Sequence, residues 1–275
     1  MSYKIGFKIG FKDNDCKNET VAEKANAPDT TPRKSLVSVR FDSQNRTYSY
    51  YNDKFDLKKG DIVFVEGKLE GVRGIVVEVN YNFKIKLSDY KKVIAVADTK
   101  VSGELFFAGS HLVVFDKSII PFNKVLTWYK APAKPDEEII CSSDDKEKFL
   151  LENLKGMKVS YDIEQRGYDY YLMNKVVYIS VDGNEGRAIV NGTAPYEVNF
   201  SYNNGEISKL TCECYCNYTC KHQVAAMYQL QDILKSINRN YSDMYEKSNY
   251  FAAICKQALF EVSVDFGSKG SLILK

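Results

Sequence analysis

Apolar and polar residues alternate at the start of the chain. Tyr3, Ile5, Phe7, Ile9 and Phe11 share one face, and Lys4, Gly6, Lys8 and Gly10 the other. A period of two predicts a half-buried strand over 3–11 with a cationic outer face. Residues 13–34 are polar, hold two of the six prolines and show no period, which predicts a mobile loop. From Ser35 the alternation returns and predicts strands over 35–41, 46–51, 61–66, 72–79, 82–88, 91–98 and 104–115. Turns at Gly60-Asp61, Gly67, Gly71 and Gly103 punctuate them. Short, closely spaced strands without a helical period between them predict a small barrel or sandwich.

The pattern breaks over 130–147, where two prolines and a run of acids interrupt it. A short helix is predicted over 144–155, with Phe149, Leu150, Leu151 and Leu154 as its apolar side and Gly156 as its stop. Strands follow near 159–164, 168–173, 175–181 and 186–191. A hairpin spans 195–212 about an Asn204-Gly205 turn. Ala226, Leu230, Ile233 and Ile237 then recur at helical spacing and predict a helix over 221–237. A second helix is predicted over 243–257, and Phe260, Val262, Val264 and Phe266 before Ser271–Lys275 read as a closing hairpin. The expected fold class is α+β. A mainly antiparallel β domain covers 1–130 and a linker 131–143. A hairpin-plus-helix domain held by metal covers 144–240, and a C-terminal helix and hairpin cover 241–275.

Composition sharpens this picture. With 275 residues the chain can build two cores, and 44% hydrophobic with 27% charged residues describes a globular protein. No stretch approaches the ~18 consecutive apolar residues of a membrane helix. The lysine-studded first residues lack the apolar segment of a signal peptide, so the protein is expected in the cytoplasm, with no membrane partner. The net charge of +2 hides an asymmetry: residues 1–135 carry 23 Lys or Arg against 16 Asp or Glu, and residues 136–275 carry 15 against 20. A polyanion should therefore meet the first half. Cations and rings mix at Arg40, Arg46, Tyr48, Tyr50, Tyr51, Lys54, Lys58 and Lys59, the candidate face for phosphates and stacked bases of DNA or RNA. The alternation of residues 46–51 lets only one set of these rings face outward.

No phosphate-binding, dinucleotide or nucleophile-elbow motif appears, and the chain is expected not to be an enzyme. His111 lies far in sequence from the cysteine cluster and from paired acids, as a structural histidine would. Four of the seven cysteines, Cys212, Cys214, Cys216 and Cys220, fall within nine residues, with His222 two positions on. A disulfide framework would be spread more evenly, so the cluster reads as thiolates for a metal in a reducing compartment. Three thiolates and one imidazole complete the tetrahedron of a structural zinc ion, leaving no open position for a reacting water. A Cys-x-Cys pair ends the predicted hairpin, and Cys220 with His222 begins the helix, so an ion would pin one to the other.

The stretch from Arg166 to Leu234 resembles the SWIM zinc-finger family. Arg166 to Tyr171, the strand Lys175 to Val181, the turn Val190 to Thr193, Tyr196-Glu197-Val198 and the closing Cys220-Lys221-His222 fall in that family's order. By that likeness one structural zinc is held by Cys212, Cys214, Cys220 and His222. Two departures stand out: a five-residue spacer before Cys220, and Tyr215 where the family often has proline. A register using Cys214 and Cys216 as the first pair would leave only three residues before Cys220, and Cys216 is read as a spare thiol. Glu213, between two ligands, is expected to face solvent. Residues 59–79 also resemble a KOW-like or other SH3-like barrel segment in Gly60-Asp61, the two valine-rich strands and glycines 67, 71 and 74. These resemblances imply a zinc-binding accessory protein that touches nucleic acid through its basic β domain. The alternative is a protein–protein adaptor that docks a partner on its acidic second half.

Overall fold

The computed structural model describes residues 3–4, 32–41, 46–132, 148–216, 218–263 and 270–275. Most of the predicted strand 3–11, most of the predicted loop 13–34 and most of the linker lie outside the described residues. The fold is mixed α and β, with mostly antiparallel sheets.

The first sheet is built from β2 (Ser35–Phe41), β3 (Arg46–Asn52), β4 (Ile62–Val65), β5 (Gly74–Asn80) and β6 (Val93–Val96), in the order β3-β2-β5-β4-β6; β1 (Tyr3–Lys4) belongs elsewhere. Every second residue of β2 is buried, as its alternation demands. The edges of this sheet meet. Tyr51 forms a parallel bridge with Lys92, and its N–H donates to the Lys91 carbonyl at 2.9 Å. The sheet thus curls around Val37, Val39, Phe41, Val63, Val65 and Val76. Residues 82–88 form no strand; a 3-10 turn at Leu87–Asp89 replaces it.

The predicted strand 104–115 is two strands, β7 (Gly103–Ala108) and β8 (His111–Val114), reversed at Gly109-Ser110. Helix α1 (Phe122–Leu126) follows Pro121, whose fixed φ suits a helix start. Beyond the linker come β9 (Phe149–Leu150) and a 3-10 turn at Leu154–Met157. The helix expected over 144–155 is therefore absent from its described part. The two strands expected over 159–173 are instead one helix, α2 (Tyr161–Leu172). Its tyrosines favour strand locally, but packing decides. A Cβ added at Gly167 would lie 2.5 Å from Val224, so the glycine lets α2 lie flush against the longer helix.

Four antiparallel strands then run in sequence, β10 (Val176–Asp182), β11 (Glu185–Asn191), β12 (Pro195–Asn203) and β13 (Glu206–Cys212), followed by α3 (Lys221–Asn240). The second predicted helix, 243–257, is cut short. Helix α4 (Ser242–Ser248) stops at left-handed Asn249, and β14 (Tyr250–Cys255) follows with all six residues buried. In place of the first strand of the predicted closing hairpin stands α5 (Lys256–Ser263), and β15 (Leu272–Leu274) ends the chain.

The second sheet runs β1-β15-β7-β8-β14-β10-β11-β12-β13-β9, with β15 parallel to β7. Because β14 sits between β8 and β10, residues 103–114 are part of the same sheet as the β12–β13 hairpin that leads to the cysteine cluster. The expected domain edge at 130 falls between segments that share this sheet. One face carries α3 over Ile179, Val181, Val198, Phe251 and Ala253. The other packs Leu112, Val114, Val177, Tyr178 and Ile254 against Trp128, Val125 of α1 and Leu259 of α5. Ile62 of the curled sheet joins this second cluster, so the two sheets share a core. The indole N–H of Trp128 donates to the Asp98 carbonyl at 2.8 Å and holds the joint.

Candidate metal centre

The site lies where β13 ends and α3 begins. Strand β13 is irregular: Lys209 has φ 51°, and the register with β12 slips between Asn199 and Ser201. An extra residue in one strand reverses the alternation beyond it. Ile207 is buried in the core under α3, and beyond the bulge Leu210 and Cys212 pack against that same core. Without the bulge, Cys212 would stand on the other face.

Cys220 caps α3. Its backbone is extended, its sulfur accepts the N–H of Gln223, and the Gln223 Oε1 accepts the Cys220 N–H at 2.7 Å. This is the reciprocal arrangement of a capping box, with a thiol in place of a hydroxyl. Gln223 also donates from Nε2 to the Leu210 carbonyl at 3.0 Å, tying the helix to the hairpin. Sequence reading passed over Gln223, although the Cys-x-x-Gln spacing is the signal for it.

Cys212, Cys214, Cys220 and His222 place their ligand atoms within 4.8 Å of one another. His222 Nδ1 lies 3.8 Å from the Cys212 sulfur and 3.7 Å from that of Cys220. The imidazole is only 5% exposed and stacks on Tyr196, with ring centroids 4.4 Å apart and planes 22° apart. Tyr170 stands 5.6 Å away. Gly192 makes room for this stack, since a Cβ there would lie 2.9 Å from the Tyr196 ring and 3.1 Å from His222 Nε2. Nε2 itself is buried and without a hydrogen-bond partner among the described residues. Aromatic packing therefore orients the ring and turns Nδ1 into the cluster.

Backbone N–H groups point at two of the sulfurs, and one thiol of the three is drawn toward its charged form. The Cys214 N–H points to the Cys212 sulfur and the Cys216 N–H to the Cys214 sulfur. Hydrogen bonding from Cys212, then from His222 and the Gln223 N–H, draws the Cys220 thiol down to about 4. Cys212, donor of that proton, is pushed far up, and burial pushes Cys214 up to about 11. The start of α3 adds the positive end of a helix dipole. Three thiols and one imidazole so disposed could hold a metal ion.

Cys216 is exposed and stands apart from the four, as its reading as a spare thiol requires. Glu213, expected to face solvent, does more. Its carboxylate pairs with the Lys130 ammonium and accepts the Glu197 N–H at 3.1 Å, while its own N–H donates to the Glu197 carbonyl at 3.1 Å. Lys130 also reaches Glu197 at 3.0 Å. Burial, then the charge of Glu213, raises the Glu197 carboxyl. The turn between Cys212 and Cys214 is thereby fastened to β12 and to the segment after α1.

The candidate nucleic-acid face is split. Tyr50 pairs across the ladder with Val37, which puts it on the core face, 7% exposed. Tyr51 is 5% exposed where the sheet closes, beside Phe83 and Lys92. Neither ring is placed to stack on a base, which corrects the sequence reading. Tyr48, opposite Val39, is 36% exposed at the rim. Arg40 faces away from the core, and Arg46, Lys54, Lys58 and Lys59 are exposed. Lys58 lies 3.9 Å from Asp56. His111 is buried. Its Nε2 faces the Val176 carbonyl at 2.8 Å, so that nitrogen carries the proton, and Nδ1 accepts from the Ser110 hydroxyl at 3.0 Å.

Among the described residues no helix is long and apolar enough to cross a membrane. Compared with known protein families, with curated proteins and with solved structures, the chain matches none, and the site's reading rests on its own atoms.

Proposed function

We propose that Cys212, Cys214, Cys220 and His222 bind one structural zinc ion in a SWIM-type unit, and that the chain is a non-enzymatic accessory protein whose basic curled sheet contacts nucleic acid. The observation that carries this reading is the gathering of four soft donors within 4.8 Å at one hairpin–helix junction. Zinc–sulfur and zinc–nitrogen bonds of about 2.3 and 2.0–2.1 Å imply a tetrahedral sulfur–nitrogen edge of about 3.5–3.6 Å, and the two sulfur–nitrogen separations above lie slightly beyond it. Four protein donors fill the coordination shell, which suits a structural ion. The bond from Gln223 to Leu210 and the pairing of Glu213 with Lys130 hold the ligands in place from outside the shell.

Support for the nucleic-acid contact is electrostatic. Arg40, Arg46, Lys54, Lys58 and Lys59 are exposed on the half of the chain that carries the positive excess. Retardation of a labelled DNA or RNA oligomer tests it. Binding should weaken steeply as salt rises, and a Lys54→Ala, Lys58→Ala, Lys59→Ala variant should lower the slope. Absence of binding at low salt ends this part of the reading while leaving the metal site intact. A second reading, a protein adaptor, draws on exposed apolar residues of the metal unit: Leu172, Met173, Tyr215 and Tyr218. It expects Tyr215→Ala and Tyr218→Ala to leave oligomer binding unchanged.

A further inference from the structure

Helices α2 and α3 cross closely at Gly167 and leave a recess of about 190 Å³ beside the crossing, lined by Tyr161, Glu164, Gln165, Tyr168 and Tyr228. Positions 161, 164, 165 and 168 repeat at helical spacing, so α2 aims them together. Tyr228 of α3 meets Tyr168 edge to face, with centroids 5.1 Å apart, and its hydroxyl donates to Glu164 Oε1 at 3.3 Å. Tyr171 stacks behind Tyr228 at 5.9 Å. Tyr161, by contrast, is 76% exposed and closes no core.

Three tyrosines gathered with one carboxylate around a recess have a specific use. Aromatic quadrupoles attract a cation whose own hydration is weak, and a carboxylate adds charge complementarity. Two further acids lie nearby: Asp169 Oδ1 accepts from Gln165 Nε2 at 3.1 Å, and Asp232 lies beside Tyr171. Asp162 and Arg166 each stand two positions from Glu164 and so project from other sides of the helix. The Lys221 ammonium is already placed over Tyr170, at 4.4 Å.

We propose that this recess binds an organic ammonium group, with Tyr161, Tyr168 and Tyr228 as its walls and Glu164 as the counter-charge. The fitting chemistry is a quaternary or methylated ammonium, carried either by a free ion such as choline or by a methylated lysine side chain. The site is independent of the zinc and nucleic-acid readings above.

The test is a titration of the full chain, as purified, followed through its tyrosine ring resonances. Three probes are used: choline, a short peptide bearing trimethyllysine, and the neutral isostere 3,3-dimethylbutan-1-ol. Saturable shifts with choline or the peptide, about tenfold stronger than with the neutral alcohol, are expected. Tighter binding of the peptide than of choline assigns the source to a protein side chain; the reverse assigns it to a free ion. Tyr161→Ala, at an exposed position, and Glu164→Gln, which keeps an acceptor for Tyr228, should each weaken the charged probe about five- to tenfold with the melting temperature unchanged. Equal binding of the neutral alcohol, or no saturable shift with either cation, would overturn the proposal.

Discussion

At the residue scale, the four clustered residues and their neighbour Cys216 separate in a way that their spacing alone does not show. Cys216 is exposed and outside the cluster, while Cys220 and His222 are buried in it. Cys216→Ser should therefore keep the metal and the melting temperature. Cys212→Ser, Cys220→Ser or His222→Ala should each lose the ion and destabilise the fold by several kcal/mol. Metal content per chain by mass spectrometry, beside thermal melts, distinguishes the two classes. The cluster itself was legible because Cys-x-Cys and Cys-x-His are local patterns. The Glu213–Lys130 pair was not, since its partners stand 83 residues apart.

His111 makes a different residue-scale test. Burial drives its imidazole down to about 4 from an ordinary value of 6.5. An unfolded chain thus takes up this proton first as pH falls. Stability is complete above pH 6.5 and declines toward pH 4, by about 3 kcal/mol from this group. Urea melts across that window should show His111→Gln, although less stable at pH 7, losing less stability on acidification than the parent. An equal loss in both would remove His111 as the cause.

At the element scale, the bulge at Lys209 determines which way Cys212 points. Deleting Lys209 would restore regular pairing with β12 and return Leu210 and Cys212 to the opposite face. The expected outcome is a chain that loses the metal although every ligand is still encoded; retained metal would contradict the bulge's role. The elements that sequence period revealed are those with one wet face, such as β2 and the β12–β13 hairpin. The failures have physical causes. Strand β14 is buried on both faces, so its apolar run carries no period and reads equally as helix. Helix α2 is rich in tyrosine, and its helical state is decided by the fit of Gly167 to Val224, a contact 57 positions away in the chain.

At the scale of the whole molecule, the hairpin that carries the cysteine cluster is no detached finger. Its strands continue through β11, β10 and β14 to β8, and α3 covers the sheet that they form. This long-range pairing could not be read from the sequence, because β14 inserts between strands encoded far before it. A junction of hairpin and helix that serves as one wall of a shared core should transmit its loss widely. The most direct measurement is metal analysis of the purified chain, followed by far-ultraviolet circular dichroism and thermal melting before and after strong chelation. The expected result is one zinc per chain, with chelation lowering the melting temperature sharply and zinc alone restoring it. A chain without bound metal, or one whose melt is unchanged by chelation, would contradict the assignment of the four residues as ligands.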